Sequence, residues 1–209
     1  MKRVGIGACL ALLAALHVGA VAAAAQGPGP VELAIEWRDV ARVPLGLTDE
    51  TKAEVDRTFH AAGVRIVWVE PGRSMHADSP MLTLILVRSS MRDAPRQDDS
   101  GPVTLGLAPT CGAWAQVFYD RVTAAVAQGQ LSTSVVLANV IAHELGHLLL
   151  PTSRHASFGV MGERVALQGP ALRQFSSEQS RVIRAALLNG PRLNECGRRE
   201  VHRLAEGSK

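Results

Sequence analysis

The sequence predicts an α/β fold of the α+β type, in which a twisted mixed sheet supports a buried helix and a smaller irregular C-terminal part ends in another helix. Three segments carry this prediction: an alternating run at residues 31–38, an apolar run at 81–87 and a long, nearly apolar helical run at 132–150. The chain has 209 residues, of which 47% are hydrophobic and 20% charged. This length and composition are typical of a single globular domain.

The first third of the chain predicts a strand, a helix and a second strand. From Val31 to Arg38 apolar and polar side chains alternate, which indicates a strand with one solvent-exposed face. Thr48 is predicted to cap a helix over residues 49–62, and Gly63 is predicted to end it. Residues 64–69 then have the apolar, β-branched composition of a second strand.

The middle of the chain predicts further strands around an exposed loop. Met81 to Val87 is apolar almost throughout, which predicts a central strand covered on both faces. Residues 89–102 are polar and rich in turn-forming residues, so we expect a loop at the surface. Two weaker strand candidates follow, at residues 103–107 and 114–122.

Two helices are predicted in the second half of the chain. The segment 132–150 is apolar on nearly every side, which indicates a helix buried in the middle of the domain. Pro151 disfavours helical geometry at the residue before it and therefore ends this helix. A final helix is predicted over residues 177–189, where Ser176 and Gln179 have the spacing of a capping box.

The N-terminal segment has the layout of a secretory signal peptide. Positive charges at residues 1–3 precede an apolar run from Val4 to Ala25, and residues 22–25 offer a small-residue cleavage site. An uncleaved membrane anchor is the alternative, but the weakly hydrophobic, alanine-rich end of the run favours cleavage. We therefore expect residues 1–25 to be removed, residues 26–209 to form one domain, and the protein to be secreted or periplasmic without stable membrane insertion.

The net charge excludes electrostatic recognition of nucleic acid as a main function. The full chain carries 22 basic and 19 acidic residues. Removal of the predicted signal peptide takes away Lys2 and Arg3, which leaves a net charge of about +1. So small a net charge gives no electrostatic reason to expect binding to nucleic acid or to an anionic membrane.

Two cysteines remain after the predicted cleavage. Cys111 and Cys196 form an even pair in a protein destined for an oxidising compartment, which favours a disulfide between the middle of the chain and its C-terminal tail. Two separate buried thiols are the alternative.

The strongest functional signal is His143-Glu-Leu-Gly-His147 inside the predicted buried helix. Residues four apart lie above one another on a helix, so both imidazoles leave the same face and can bind one Zn²⁺. Glu144 projects about 100° away around the helix. It can therefore act as general base towards a water at the metal without being a ligand. Burying two histidines and a glutamate without a shared purpose would be costly.

A catalytic zinc site needs a third protein ligand, and three residues are candidates. His155 follows the helix end at Pro151 closely enough to turn back over it, although it is also acceptable as a surface histidine. Glu163 and Glu178 are the carboxylates that could replace it. Glu178 is already explained by its place in the first turn of the last helix.

The segment from His143 to Met161 resembles the metzincin metallopeptidases, and more closely a group of bacterial exported metzincin-like proteins. In metzincins H-E-x-x-H continues as x-x-G-x-x-H, and a later turn places a methionine below the metal. The resemblance implies His143, His147 and His155 as ligands and Met161 as an apolar floor. The chain departs from the pattern, since Leu150 replaces the glycine, Ser153 occupies the usual histidine position and His155 comes two residues late.

These patterns predict a metallopeptidase-like catalytic domain that acts on a peptide or protein substrate. The expected activity is hydrolysis of peptide bonds with a zinc cofactor and Glu144 as base. A zinc-binding exported protein without turnover and a zinc amidase acting on cell-wall peptides are the two alternatives. The intact Glu144 argues against the first, because a structural site has four ligands and no use for that carboxylate. The sequence does not determine the oligomeric state.

Overall fold

Five strands and four helices form the part of the chain that the computed structural model describes, namely residues 29–73, 80–89, 103–109, 112–127, 129–152, 154–163 and 173–189. The elements in chain order are β1 (Val31–Asp39), α1 (Leu45–Ala61), β2 (Val64–Val69), β3 (Met81–Val87), β4 (Gly106–Leu107), β5 (Trp114–Phe118), α2 (Tyr119–Val126), α3 (Thr133–Leu149) and α4 (Ser177–Leu188). The predicted α/β fold class is confirmed.

The strands form one mixed sheet in the order β2-β1-β3-β5-β4. All neighbouring pairs are parallel except β4 and β5, which are antiparallel. The register places Ile35 on β1 beside Leu82 on β3, and both side chains are fully buried on the same face of the sheet. The short strand β4 is an edge of the sheet among the described residues.

Helix α3 lies in the middle of the domain. It packs against α1, α2 and α4 and against strands β4 and β5. Fourteen of its 17 residues are buried, which is why its sequence is apolar on nearly every side. Ser132 caps its first turn by accepting a hydrogen bond from the backbone N–H of Val135. The residue before Pro151, Leu150, is extended with φ −96° and ψ 145°, as the proline requires.

Other predicted boundaries are also confirmed. Strands β2 and β3 begin and end at the predicted residues. Gly63 adopts φ +76° directly after α1, a conformation that favours glycine at the end of a helix. The capping box of α4 is present, because the Ser176 side chain accepts from the Gln179 N–H and the Gln179 side chain accepts from the Ser176 N–H.

Three local predictions were wrong. Helix α1 begins at Leu45 after Pro44, so Thr48 lies inside the helix and is buried there instead of capping it. The strand predicted over 114–122 ends at Phe118, where α2 begins. At the second of these boundaries a tertiary contact holds the start of the helix, because the Asp120 side chain in the first turn of α2 accepts hydrogen bonds from Ser89. The segment 103–107 forms a strand only at its last two residues.

Strand β3 is central, but its two faces are covered unequally. Leu82, Leu84 and Leu86 are fully buried, whereas the alternate residues Thr83, Ile85 and Val87 are half-buried. The face of β3 that carries the three leucines is therefore fully covered, as predicted, whereas the opposite face is only partly covered.

Several predictions concern residues outside the described ranges. They are the signal peptide at 1–25, most of the loop at 89–102, and both Cys111 and Cys196. Among the described residues, no helix combines the length and the hydropathy needed to cross a membrane.

Candidate metal centre

Three histidine side chains converge at the C-terminal end of α3. His143 and His147 lie on the helix and His155 lies in the loop that follows it. One ring nitrogen from each lies within 4.8 Å of the corresponding nitrogens of the other two. The ring centroids are 4.6 Å apart for the helical pair and 5.1 Å from His155 to each member of that pair. Among the described residues, these three side chains form a group close enough together to bind one metal ion.

The helical pair owes its geometry to the four-residue spacing. Positions i and i+4 are neighbours on the helix surface, and here the Nε2 atoms of His143 and His147 are 3.0 Å apart. Two ring nitrogens at this separation are close enough together to bind one cation.

The orientation of His143 is set by the loop after the helix. Its Nδ1–H donates a hydrogen bond of 2.8 Å to the backbone carbonyl of Val160, because a carbonyl oxygen can only accept. In the neutral ring this leaves Nε2 unprotonated and facing His147. A hydrogen bond from the other ring nitrogen to a carbonyl, as here, selects the tautomer that binds a metal.

His147 differs from His143 in the hydrogen bonding of its Nδ1 atom. Its Nδ1 is buried and has no hydrogen-bond partner among the described residues. Its orientation therefore depends on the contact between its Nε2 and His143, and on whatever the converging nitrogens bind.

His155 returns to the helix end through a folded loop. After the extended Leu150 and Pro151, the backbone N–H of Ala156 donates to the Met161 carbonyl at 2.6 Å. Gly159 has φ +79°, and a Cβ there would lie 2.7 Å from the carbonyl oxygen of Gln174, so only glycine fits this turn. The closed loop brings the imidazole of His155, which is exposed, over the other two rings.

Met161 is fully buried against α3. The side chain lies so close to Gly146 that a Cβ at position 146 would collide with its sulfur. Because Gly146 immediately precedes His147, the thioether packs on the helix next to the histidine cluster.

Glu144 lies beside the histidines but points towards the sheet edge. The residue is 7% exposed, and burial raises the pKa of its carboxyl group to about 7. The side chain lies so close to Gly106 on β4 that a Cβ at position 106 would collide with it. A carboxyl group with a pKa near neutrality can both accept and return a proton, which is the property required of a general base.

Burial also keeps the helical imidazoles neutral. It lowers the pKa of His143, although the bond to Val160 opposes this shift. The pKa of His147 falls to about 4, first because of burial and then because of the neighbouring His143 and His155. Neutral imidazoles are the form that binds metal ions, so these two side chains can bind a cation at neutral pH without first losing a proton.

The rival carboxylates and the other histidines lie elsewhere. Glu163 is exposed and outside the cluster, and Glu178 on α4 forms an ion pair with Arg181 at 2.5 Å. His60 is exposed near the end of α1, and His76 lies outside the described residues, as does His202.

Two residues of the site, Val160 and Gly106, were not predicted from the sequence. Val160 contributes through its backbone carbonyl, so no side-chain pattern could identify it. Gly106 could have been suspected from the sequence, because a glycine inside a strand often marks the close approach of another group. What approaches it could be learned only from the packing of β4 against α3.

No protein-family model matches the sequence, and no curated protein matches it. Among solved structures, the chain is similar to the crystal structure of an archaemetzincin from Methanopyrus kandleri, with a TM-score of 0.49 and 14% sequence identity. The similarity covers 75% of this chain and 95% of that one.

Proposed function

We propose that this chain is an exported, zinc-dependent endopeptidase in which His143, His147 and His155 hold the metal and Glu144 is the general base. One observation carries the proposal: three imidazoles converge within 4.8 Å, beside a buried carboxyl group that belongs to the same helix. Export rests on the signal-peptide pattern of residues 1–25.

The donor set fits zinc. Imidazole nitrogens suit this metal, and three histidines with an open fourth position are typical of a catalytic zinc site. The bond from His143 to Val160 presents Nε2 to the cluster, and the low pKa of His147 keeps its ring neutral. A structural zinc site would need a fourth protein ligand, and the cluster among the described residues contains three.

Glu144 performs the proton transfers in this mechanism. A bound zinc ion supplies the Lewis acid that polarises the scissile carbonyl and makes the attacking water more acidic. The Glu144 carboxylate accepts the proton from that water and later gives it to the leaving amine. Its burial serves this purpose, because a pKa near 7 lets the group be deprotonated before attack and protonated afterwards.

The sheet edge supports a peptide as the substrate. Strand β4 pairs with β5 on one side and is the last strand of the sheet within the described residues. An extended peptide can add to such an edge through main-chain hydrogen bonds. Gly106 of β4 touches Glu144, so a peptide on this edge would pass close to the general base.

Glu144→Gln tests the proposal directly. The amide keeps the shape of the side chain but does not accept the proton, so zinc should stay bound while hydrolysis falls by about 10²- to 10⁴-fold. Glu163→Gln is the matched control, because this carboxylate is exposed and outside the cluster. Elemental analysis gives the zinc content, and cleavage of an unfolded protein and of cell-wall peptides gives the activity.

The possible outcomes separate the alternatives. Cleavage of cell-wall peptides alone would identify an amidase, and zinc binding without turnover of either substrate would identify a non-catalytic zinc protein. Wild-type activity in Glu144→Gln would remove Glu144 as the base. Full zinc occupancy in His143→Ala or His147→Ala would disprove the metal site.

A further inference from the structure

Gly106 occupies an unusual place for a glycine. It is buried within the edge strand β4, where it pairs with Val117 of β5. Glycine weakens a strand because it has no side chain to pack and because ordering it costs more backbone entropy. Its presence here therefore calls for a local reason.

The reason lies in the contact across the interface with α3. A Cβ built on Gly106 would lie 2.6 Å from both Cγ and Oε1 of Glu144, and 2.8 Å from Cδ. Non-bonded carbon atoms prefer a separation of about 3.5–4.0 Å, so a methyl group has no room. All three nearest atoms belong to the Glu144 side chain. The Glu144 carboxyl group therefore occupies the space that a side chain at position 106 would need.

The flexible group in this contact is the side chain of Glu144, the proposed general base. An added methyl group would push against the end of a side chain and not against backbone, so the strand has no need to move. Glu144 is 7% exposed and helix α3 is fixed by packing on both sides, so the carboxyl group must rotate away from its place.

We propose that Gly106 is a positioning residue for the general base: the missing side chain on the edge strand creates the space in which the Glu144 carboxyl group is held beside the histidine cluster. This inference rests on the proposed function. It adds a requirement at position 106, where any larger residue displaces the carboxyl group while leaving the three histidines in place.

The variant Gly106→Ala tests the inference, with Gly46→Ala as its control. A Cβ at Gly46 would meet nothing within 4 Å. Displacement of a catalytic group by about 1 Å costs about 10²-fold in rate, so kcat of Gly106→Ala should fall by about that factor with little change in KM. Zinc affinity and Tm should match the wild type. Gly46→Ala should match it in kcat, KM and zinc affinity and should hold or raise its Tm, because the residue lies in helix α1.

A purely structural role for Gly106 predicts a different pattern. Alanine strengthens a strand relative to glycine, so the variant would then keep its kcat and hold or raise its Tm. Wild-type kcat in a folded, zinc-loaded Gly106→Ala protein would overturn the inference. If Gly106→Ala does not fold, Gly106→Ala/Glu144→Ala should fold, because the colliding carboxyl group is gone. An unfolded double variant would also overturn it.

A crystal structure of metal-free Gly106→Ala separates this inference from the proposed function. The Glu144 carboxyl group should be turned away from β4 even if the wild-type protein cleaves none of the tested substrates. An unchanged Glu144 conformation would refute the positioning role. Lack of activity in the wild type, together with a displaced Glu144 in the variant, would refute only the peptidase assignment.

Discussion

Replacement of His155 by alanine should separate metal binding from folding. The side chain is exposed and lies in a loop, so the metal-free variant should unfold at nearly the wild-type temperature. The same ring stacks 5.1 Å from His143 and lies 5.1 Å from His147, so its loss removes one of three converging donors. The effect should therefore be visible only when zinc is present.

The size of this effect follows from linkage between binding and folding. A ligand at a thousand times its Kd stabilises the folded state by about 4.1 kcal/mol. Loss of a direct ligand should weaken binding by about 100-fold or more, since about 100-fold is the upper value for loss of a residue that only hydrogen-bonds to a ligand. The same zinc concentration then contributes about 1.4 kcal/mol. At about 2–4 °C per kcal/mol, the zinc-induced rise in Tm should fall from about 8–16 °C to about 3–6 °C.

Thermal unfolding with and without zinc measures this difference. Glu163→Gln and Glu178→Gln are the controls and should keep the full zinc-induced rise, because neither carboxylate belongs to the histidine cluster. Loss of the Glu178–Arg181 pair at the surface should itself change stability little. His155 is not the third ligand if either glutamine variant loses the zinc response while His155→Ala retains it. A carboxylate would then be the third ligand.

The remaining predictions concern stability and export. Hydrogen bonds from Arg38 lower the pKa of Glu36, so Glu36→Gln should be less stable than the wild type at pH 7. The wild type should lose this advantage as the pH falls from 4.5, the ordinary pKa, through the lower folded value; urea unfolding that shows equal pH dependence in both proteins would contradict this. Cys111 and Cys196 should be linked in exported protein, and non-reducing peptide mapping that finds two free thiols would exclude the disulfide. N-terminal sequencing of exported protein should begin near residue 26, and an intact Met1 would disprove cleavage.

Local features of the sequence were sufficient for much of the fold. The bounds of β2 and β3 and the capping box at Ser176 depend on side chains within a few residues, so periodicity and capping rules identified them. The start of α1 was misplaced because Thr48 has the chemistry of a cap, yet it is buried inside the helix by packing. Such long-range contacts override local propensity and leave no local pattern.

The candidate site shows the same division. The sequence by itself determined that His143 and His147 share one helix face and that Glu144 lies beside them, because the four-residue spacing is a property of any α-helix. The return of His155, the carbonyl of Val160 that orients His143, and the space that Gly106 leaves for Glu144 were decided by tertiary structure. Each of these three contacts joins residues that are far apart in the sequence. Such contacts depend on how loops close and how the edge strand packs against α3.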